Sequence, residues 1–189
     1  LMVRLFALER TRPLAGLVLV DAVTPDILEL PGGTPAVRGF GRLLQAVGHG
    51  ARFGLMAPVS LLTGNLIGLP GEAGREKRRI HALASHARGS AAEVMAWPAT
   101  SALAGAAELP PELPVAVVTA GAARGRGPIR AIQEAPARRS RHGRIEHVAG
   151  ANHANLLGPR YAEAIVRGVL HVLAQPVCET GPAAVIPAR

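Results

Sequence analysis

Two residues stand out for the chemistry they could do together, Asp21 and His153. The chain has only two aspartates, Asp21 and Asp26, and Asp21 ends the apolar run Gly16-Leu-Val-Leu-Val-Asp21. His153 closes the run Gly150-Ala-Asn-His153, between a short strand-like stretch and a long amphipathic one. A carboxylate against one ring nitrogen orients an imidazole and stabilises its protonated form. The other nitrogen is then free to take a proton from a hydroxyl nucleophile. Ordinary roles compete with this reading. A strand-end Asp often closes an Asx-turn on its own backbone, and a lone loop His is usually a surface residue. The spacing by itself leaves both readings open.

A base of this kind needs a nucleophile, and the sequence offers none. Ser60, Ser85, Ser90, Ser101 and Ser140 are its only serines. None lies in a G-x-S-x-G turn or between a strand and a helix, where a nucleophilic serine is held on a strained turn. Ser90 follows Gly89 inside a helical pattern and reads as a helix-surface residue. The single cysteine, Cys178, excludes an intramolecular disulfide framework and reads as incidental. No metal and no cofactor is expected.

The elements that must position Asp21 and His153 follow from the apolar periodicity. Met2 to Arg10 carries a one-sided apolar stripe and reads as a helix ended by Pro13. Gly16 to Asp21 and Pro114 to Thr119 are continuous apolar runs, as expected of parallel strands buried on both faces. Arg144 to Ala149 is a third strand, mixed enough for a sheet edge. The stretch from Thr24 to Leu113 offers no strand and reads as helices broken by Gly and Pro. Within it, Gly71 to Trp97 reads as one long helix closed by Pro98, and Phe53 to Pro70 as a pair of short apolar helices over a pocket. Ala120 to Gly143 reads as loop and short helix. A final helix is expected from Gly158 to Ala174, with Pro159 at its first turn. Its inner stripe would be Ala162, Ile165, Val166, Val169, Leu170 and Leu173. The residues 175–189 read as a loose tail. Strands alternating with helices give an α/β fold: a parallel sheet of about three strands, with helices on its faces and a large helical insertion at 24–113.

Composition narrows the class. Hydrophobic residues make up 49% of the 189 and charged residues 18%, a balance that favours a packed globule over disorder. Aromatics are only 3%, so Ala, Val, Leu and Ile must fill the core. The net charge of +8 invites a nucleic-acid reading. Yet Arg124, Arg126, Arg130, Arg138, Arg139, Arg141 and Arg144 cluster in one stretch with no interleaved aromatics for base stacking. A solvated arginine-rich surface is the preferred reading, and no nucleic-acid partner is expected. The alternative is a noncatalytic binding module that offers these arginines to an acidic partner. The uncharged run from Phe53 to Pro70 is marginal in length for a membrane span and is interrupted by Gly54, Pro58, Gly64, Asn65 and Gly68. No span is expected there, although the basic group Arg75, Lys77, Arg78 and Arg79 follows it. A small membrane-associated protein built around that run is a third possibility.

Three segments resemble the α/β-hydrolase fold family. Leu1-Met-Val-Arg-Leu-Phe-Ala-Leu-Glu-Arg, then Leu14-Ala-Gly-Leu-Val-Leu-Val-Asp-Ala, is similar to the segment after the nucleophile elbow. Pro114 to Gly121 resembles the seventh strand and its exit. Gly150-Ala-Asn-His153, followed by Ala-Asn-Leu-Leu and a long helix, resembles the catalytic-histidine loop. The matched segments, 1–26 and 114–174, are somewhat less than half the chain, and the stretch between them sits where the family inserts a helical cap.

The resemblance implies a serine hydrolase acting on an ester or similar acyl substrate with an apolar portion. His153 would be the general base. Asp21 would be its acid, in the sixth-strand position that some lipase-like members use, with Glu134 in reserve because the loop after the seventh strand holds no Asp. The nucleophile and the oxyanion hole would lie upstream of Leu1. The chain begins at Leu1 with no signal-peptide pattern, so it is expected to be a fragment, inactive alone, with the cytoplasm as default compartment. Leu17 to Val20 would then form an uncovered sheet edge open to self-association.

Overall fold

A computed structural model of the chain describes residues 1–10, 12–121 and 127–179. They divide into two compact units, one of Leu1–Ile27 with Ala99 onward, the other of Leu28–Pro98.

The first unit is built on three strands, β1 (Leu17–Val20), β2 (Val115–Ala120) and β3 (Gly143–Val148). They pair in the order β1-β2-β3, all parallel, with Val20 opposite Val118 and Ala120 opposite Val148. The continuous apolar runs have the expected cause. Leu17, Val115 and Val117 pack on one face with Ala7 of helix α1 (Met2–Glu9) and Ala137 of helix α7 (Gly127–Arg139). Val118, Ala120 and Val20 pack on the other with Ala151, Leu156 and Ala164, the last in helix α8 (Ala162–Leu173). Helices thus cover both faces of the central strand, and all six residues of β2 are buried, while the edge strand β3 alternates at its start, with Gly143 and Ile145 exposed. As expected from its mixed sequence, β3 is an edge strand of this sheet among the described residues, and β1 is the other edge.

Helix α8 corrects the expected inner stripe. Val166, Val169, Leu170 and Leu173 are exposed, and Ala164, Gly168 and Val172 are buried instead. A Cβ on Gly168 would lie 3.4 Å from both Ala116 Cβ and Val18 Cγ1. The helix therefore lies close on the sheet through its smallest residues, and its larger side chains cannot share that face. Its start also shifts. Pro159 lies in a turn before the helix, whose N-cap is Tyr161.

The chain past α8 folds back on the first unit. Leu14 and Cys178 exchange backbone hydrogen bonds of 3.1 and 3.0 Å, and Cys178 is buried. Residues 180–189 of the expected loose tail lie outside the described residues.

The second unit is helical, as the absence of strand patterns predicts. It holds α3 (Gly33–Arg52), α4 (Met56–Thr63), α5 (Gly71–His81) and most of α6 (Ala84–Gly105), while the short α2 (Pro25–Glu29) leads into it. Glycine again sets the packing. A Cβ on Gly48 would meet Ala87 at 3.6 Å, and one on Gly41 would meet the Met95 sulfur at 2.6 Å. Three expectations fail here. The single helix of 71–97 is two, α5 and α6, divided at Ala82–Leu83, and Pro98 lies inside α6 rather than closing it. Proline removes one N–H and bends a helix, but the flanking turns carry the helix through. The run Phe53 to Pro70 forms one short helix, α4, with turns on either side, and most of its large apolar side chains are exposed. No described helix is long and apolar enough to cross a membrane.

Candidate active site

The carboxyl ends of the parallel strands form the rim where α/β sheets gather functional groups. Asp21 directly follows β1, and its N–H donates to Val118 O at 2.7 Å, which extends the β1–β2 ladder by one residue. Its φ is +42°, the only left-handed backbone angle at a non-glycine among the described residues. Asp tolerates this region better than most L-residues, though at some cost in strain.

His153 enters from the loop after β3. Ala151 N–H donates to Val148 O, which starts the loop as the strand ends. The side chains of Asn152 and Asn155 then bind the turn from both sides. Asn152 Oδ1 accepts from the N–H groups of Ala154 (2.9 Å) and Asn155 (3.1 Å), and Asn155 Oδ1 accepts from Asn152 N–H at 2.8 Å. These Asx-type bonds satisfy the backbone on either side of His153 without a helix. Leu156, almost fully buried, anchors the turn to the core, and Tyr161 Oη donates to Gly150 O.

The two elements meet at one hydrogen bond. His153 Nδ1 lies 2.8 Å from Asp21 Oδ2. The Asp21 side chain is 4% exposed and the His153 side chain 73%, so the carboxylate is sunk in the protein and the ring stands into solvent. A buried carboxylate accepts strongly, which assigns the Nδ1 hydrogen to this contact and leaves Nε2 as the bare nitrogen of the neutral ring. Among the described residues, no side chain bonds Nε2.

Sequence reasoning missed a third member. Gln133, on α7, donates from Nε2 to Asp21 Oδ1 at 3.1 Å and to Ala22 O at 3.4 Å. Each Asp21 oxygen therefore has its own partner. Nothing in the local sequence marks Gln133, because its role depends on how α7 lies against the sheet.

Glu134, the reserve acid, is the next residue of α7. It is buried and ion-paired with Arg138 at 2.6 Å and with Arg130 at 3.9 Å, and it makes no contact with His153. Three of the five serines bond backbone carbonyls. Ser60 Oγ donates to Ala57 O, Ser101 Oγ to Pro25 O and Ser140 Oγ to Leu113 O, while Ser85 and Ser90 lie on α6 in the helical unit.

The arginine-rich stretch is in large part helical and internally compensated. Arg139 pairs with Glu108, Arg141 with Glu112 and Arg144 with Glu146, besides the two arginines on Glu134. Arg124 and Arg126 lie outside the described residues. Among the described residues no group of His, Cys, Asp and Glu could hold a metal ion. No family model, no curated protein and no solved structure matches this chain.

Proposed function

We propose that Asp21 and His153 are the acid and base of a serine hydrolase of the α/β-hydrolase type, acting on a carboxylic ester or similar acyl substrate. The observation that carries this reading is the His153 Nδ1–Asp21 Oδ2 hydrogen bond of 2.8 Å at the carboxyl rim of a parallel sheet. In this reading Asp21 holds the imidazole in one tautomer and balances its charge once protonated. Nε2 takes the proton of a serine hydroxyl as that oxygen attacks the carbonyl, then returns it to the leaving alcohol. Gln133 is a positioning residue that fixes the other carboxylate oxygen. In this reading the nucleophile would be a serine upstream of Leu1, since none of the five serines of this sequence lies in a G-x-S-x-G turn.

The test is hydrolysis of an aryl ester by this chain and by a polypeptide extended with the coding sequence upstream of Leu1. The isolated chain is expected to be inactive and the longer one active in a manner that His153→Ala abolishes. Turnover by the isolated chain that His153→Ala abolishes would overturn the assignment of an external nucleophile. Turnover by the longer polypeptide that ignores His153→Ala would overturn the role of the pair.

A further inference from the structure

Helix α4 is apolar on the wrong side. Its one buried side chain is Ser60, whose hydroxyl is satisfied by Ala57 O, while Leu61 and Leu62 are 71% and 83% exposed. Phe53 and Leu55 before the helix, and Leu66 after it, are also exposed. An amphipathic helix in water buries the opposite set. Large apolar side chains exposed together along one short segment mark a surface that another phase or molecule covers.

The patch is flanked by positive charge. A Cβ on Gly64 would lie 2.9 Å from Arg78 Cα, so α5 is pressed against the end of α4. Asn65 ties the turn between them through two bonds to Leu69, of 2.9 and 3.0 Å. Helix α5 carries Arg75, Lys77, Arg78 and Arg79 against Glu72 and Glu76, with Arg79 paired to Glu76 at 3.0 Å. Arg52 stands beside Phe53 at the end of α3. The whole unit, Leu28–Pro98, has eight Lys and Arg against four Glu and no Asp.

We propose that α4 and its flanks dock on an anionic lipid surface, with the apolar side chains entering the headgroup–acyl boundary and the α5 cations meeting lipid phosphates and carboxylates. Insertion of a few exposed apolar side chains beside a basic cluster is the physical basis of such interfacial binding. Eight residues are far too few for a span, so the helix lies on the surface rather than across it. Charge complementarity favours this occupant over a second copy of the chain. A two-fold contact through α4 would bring the two basic clusters together, at a cost in repulsion.

The experiment is co-flotation of the full chain with vesicles of phosphatidylcholine and phosphatidylserine, with phosphatidylcholine vesicles as the comparison, in low and high salt. The chain is expected to float with the mixed vesicles and to stay in solution with the neutral ones. Salt weakens binding because part of the attraction is screened. The double variant L61S/L62S is expected to bind at least about tenfold more weakly, since both leucines lose burial in lipid. Arg75→Glu, an exposed change that keeps the apolar patch, gives a second arm with about a tenfold loss. Circular dichroism identifies variants that keep the native helix content, and either one suffices for the comparison. Failure of the native chain to float with mixed vesicles, equal flotation with both kinds, or native-like binding by the folded variants would overturn the proposal. A dimer in sedimentation that L61S/L62S dissolves, with no vesicle binding, would assign the patch to a second copy instead.

Discussion

The Asp21 carboxylate lies 2.8 Å from His153 Nδ1 across the end of a strand that supplies neither residue. Asp21 leaves β1 and His153 follows β3, with β2 between them. Asp21 makes this contact from a left-handed backbone angle, φ +42°. Backbone angle and side-chain role are therefore linked at this position.

That link predicts different outcomes for two substitutions of similar size. Asp21→Asn keeps a residue that tolerates positive φ and retains one acceptor, and is expected to cost about 1 kcal/mol or less. Asp21→Val adds β-branched strain and leaves Gln133 without its carboxylate partner, for a loss of roughly 2–4 kcal/mol. Denaturant unfolding of the two variants measures the difference. Equal stabilities would mean that the turn stores no strain.

Gln133→Leu removes the donor to Asp21 Oδ1 and leaves the His153 contact formally intact. The expected stability loss is about 1 kcal/mol. A merely structural glutamine would do no more than this. As a positioning residue it should also loosen Asp21, so that the neutral His153 ring samples both tautomers in a long-range nitrogen NMR spectrum. Gln133→Glu restores no donor in its ionised form and should not rescue the tautomer.

The close approach of α8 to the sheet makes Gly168 the critical residue of that helix. Gly168→Leu must push Val18, Ala116 or Val118 aside and is expected to cost about 2 kcal/mol or more. Leu170→Ala, on the exposed face, should change stability by no more than about 0.5 kcal/mol. Thermal unfolding of both variants checks the reversal of the usual rule that the larger side chain matters more.

The strands were legible because β1 and β2 are covered on both faces, and continuous apolar runs state that directly. Asp21 and His153 were legible because Asp21 ends such a run and His153 lies in the loop that follows the third strand. The inner face of α8 was not legible. Periodicity marked the face with the larger apolar side chains, whereas the close approach to the sheet selects Ala164, Gly168 and Val172. Pro98 was misread for a related reason, since a helix stop signal is local and the packing that carries α6 through it is not. Gln133 was invisible because its partner is distant in sequence.

Glu146 carries a pH dependence of its own. The hydrogen bond from Arg167, helped by one from Arg144, holds its carboxyl below the ordinary glutamate value against the opposing effect of burial. A carboxylate depressed on folding contributes stability that is fully present above its unfolded pKa and is lost as pH falls through the folded one. The loss on acidification from about pH 6 to pH 3 should therefore be smaller in Glu146→Gln. The effect is modest because Arg167 is open to solvent. Identical pH slopes in denaturant titrations would contradict this.

The proposed role of His153 as a base is tested most directly by the labelling rate of a fluorophosphonate probe on a polypeptide extended upstream of Leu1, with and without His153→Ala. The account predicts a single labelled serine outside residues 1–189, and labelling at least about a thousandfold slower in the variant. A labelling rate unchanged by His153→Ala, or a label on Ser60, Ser85, Ser90, Ser101 or Ser140, would contradict it.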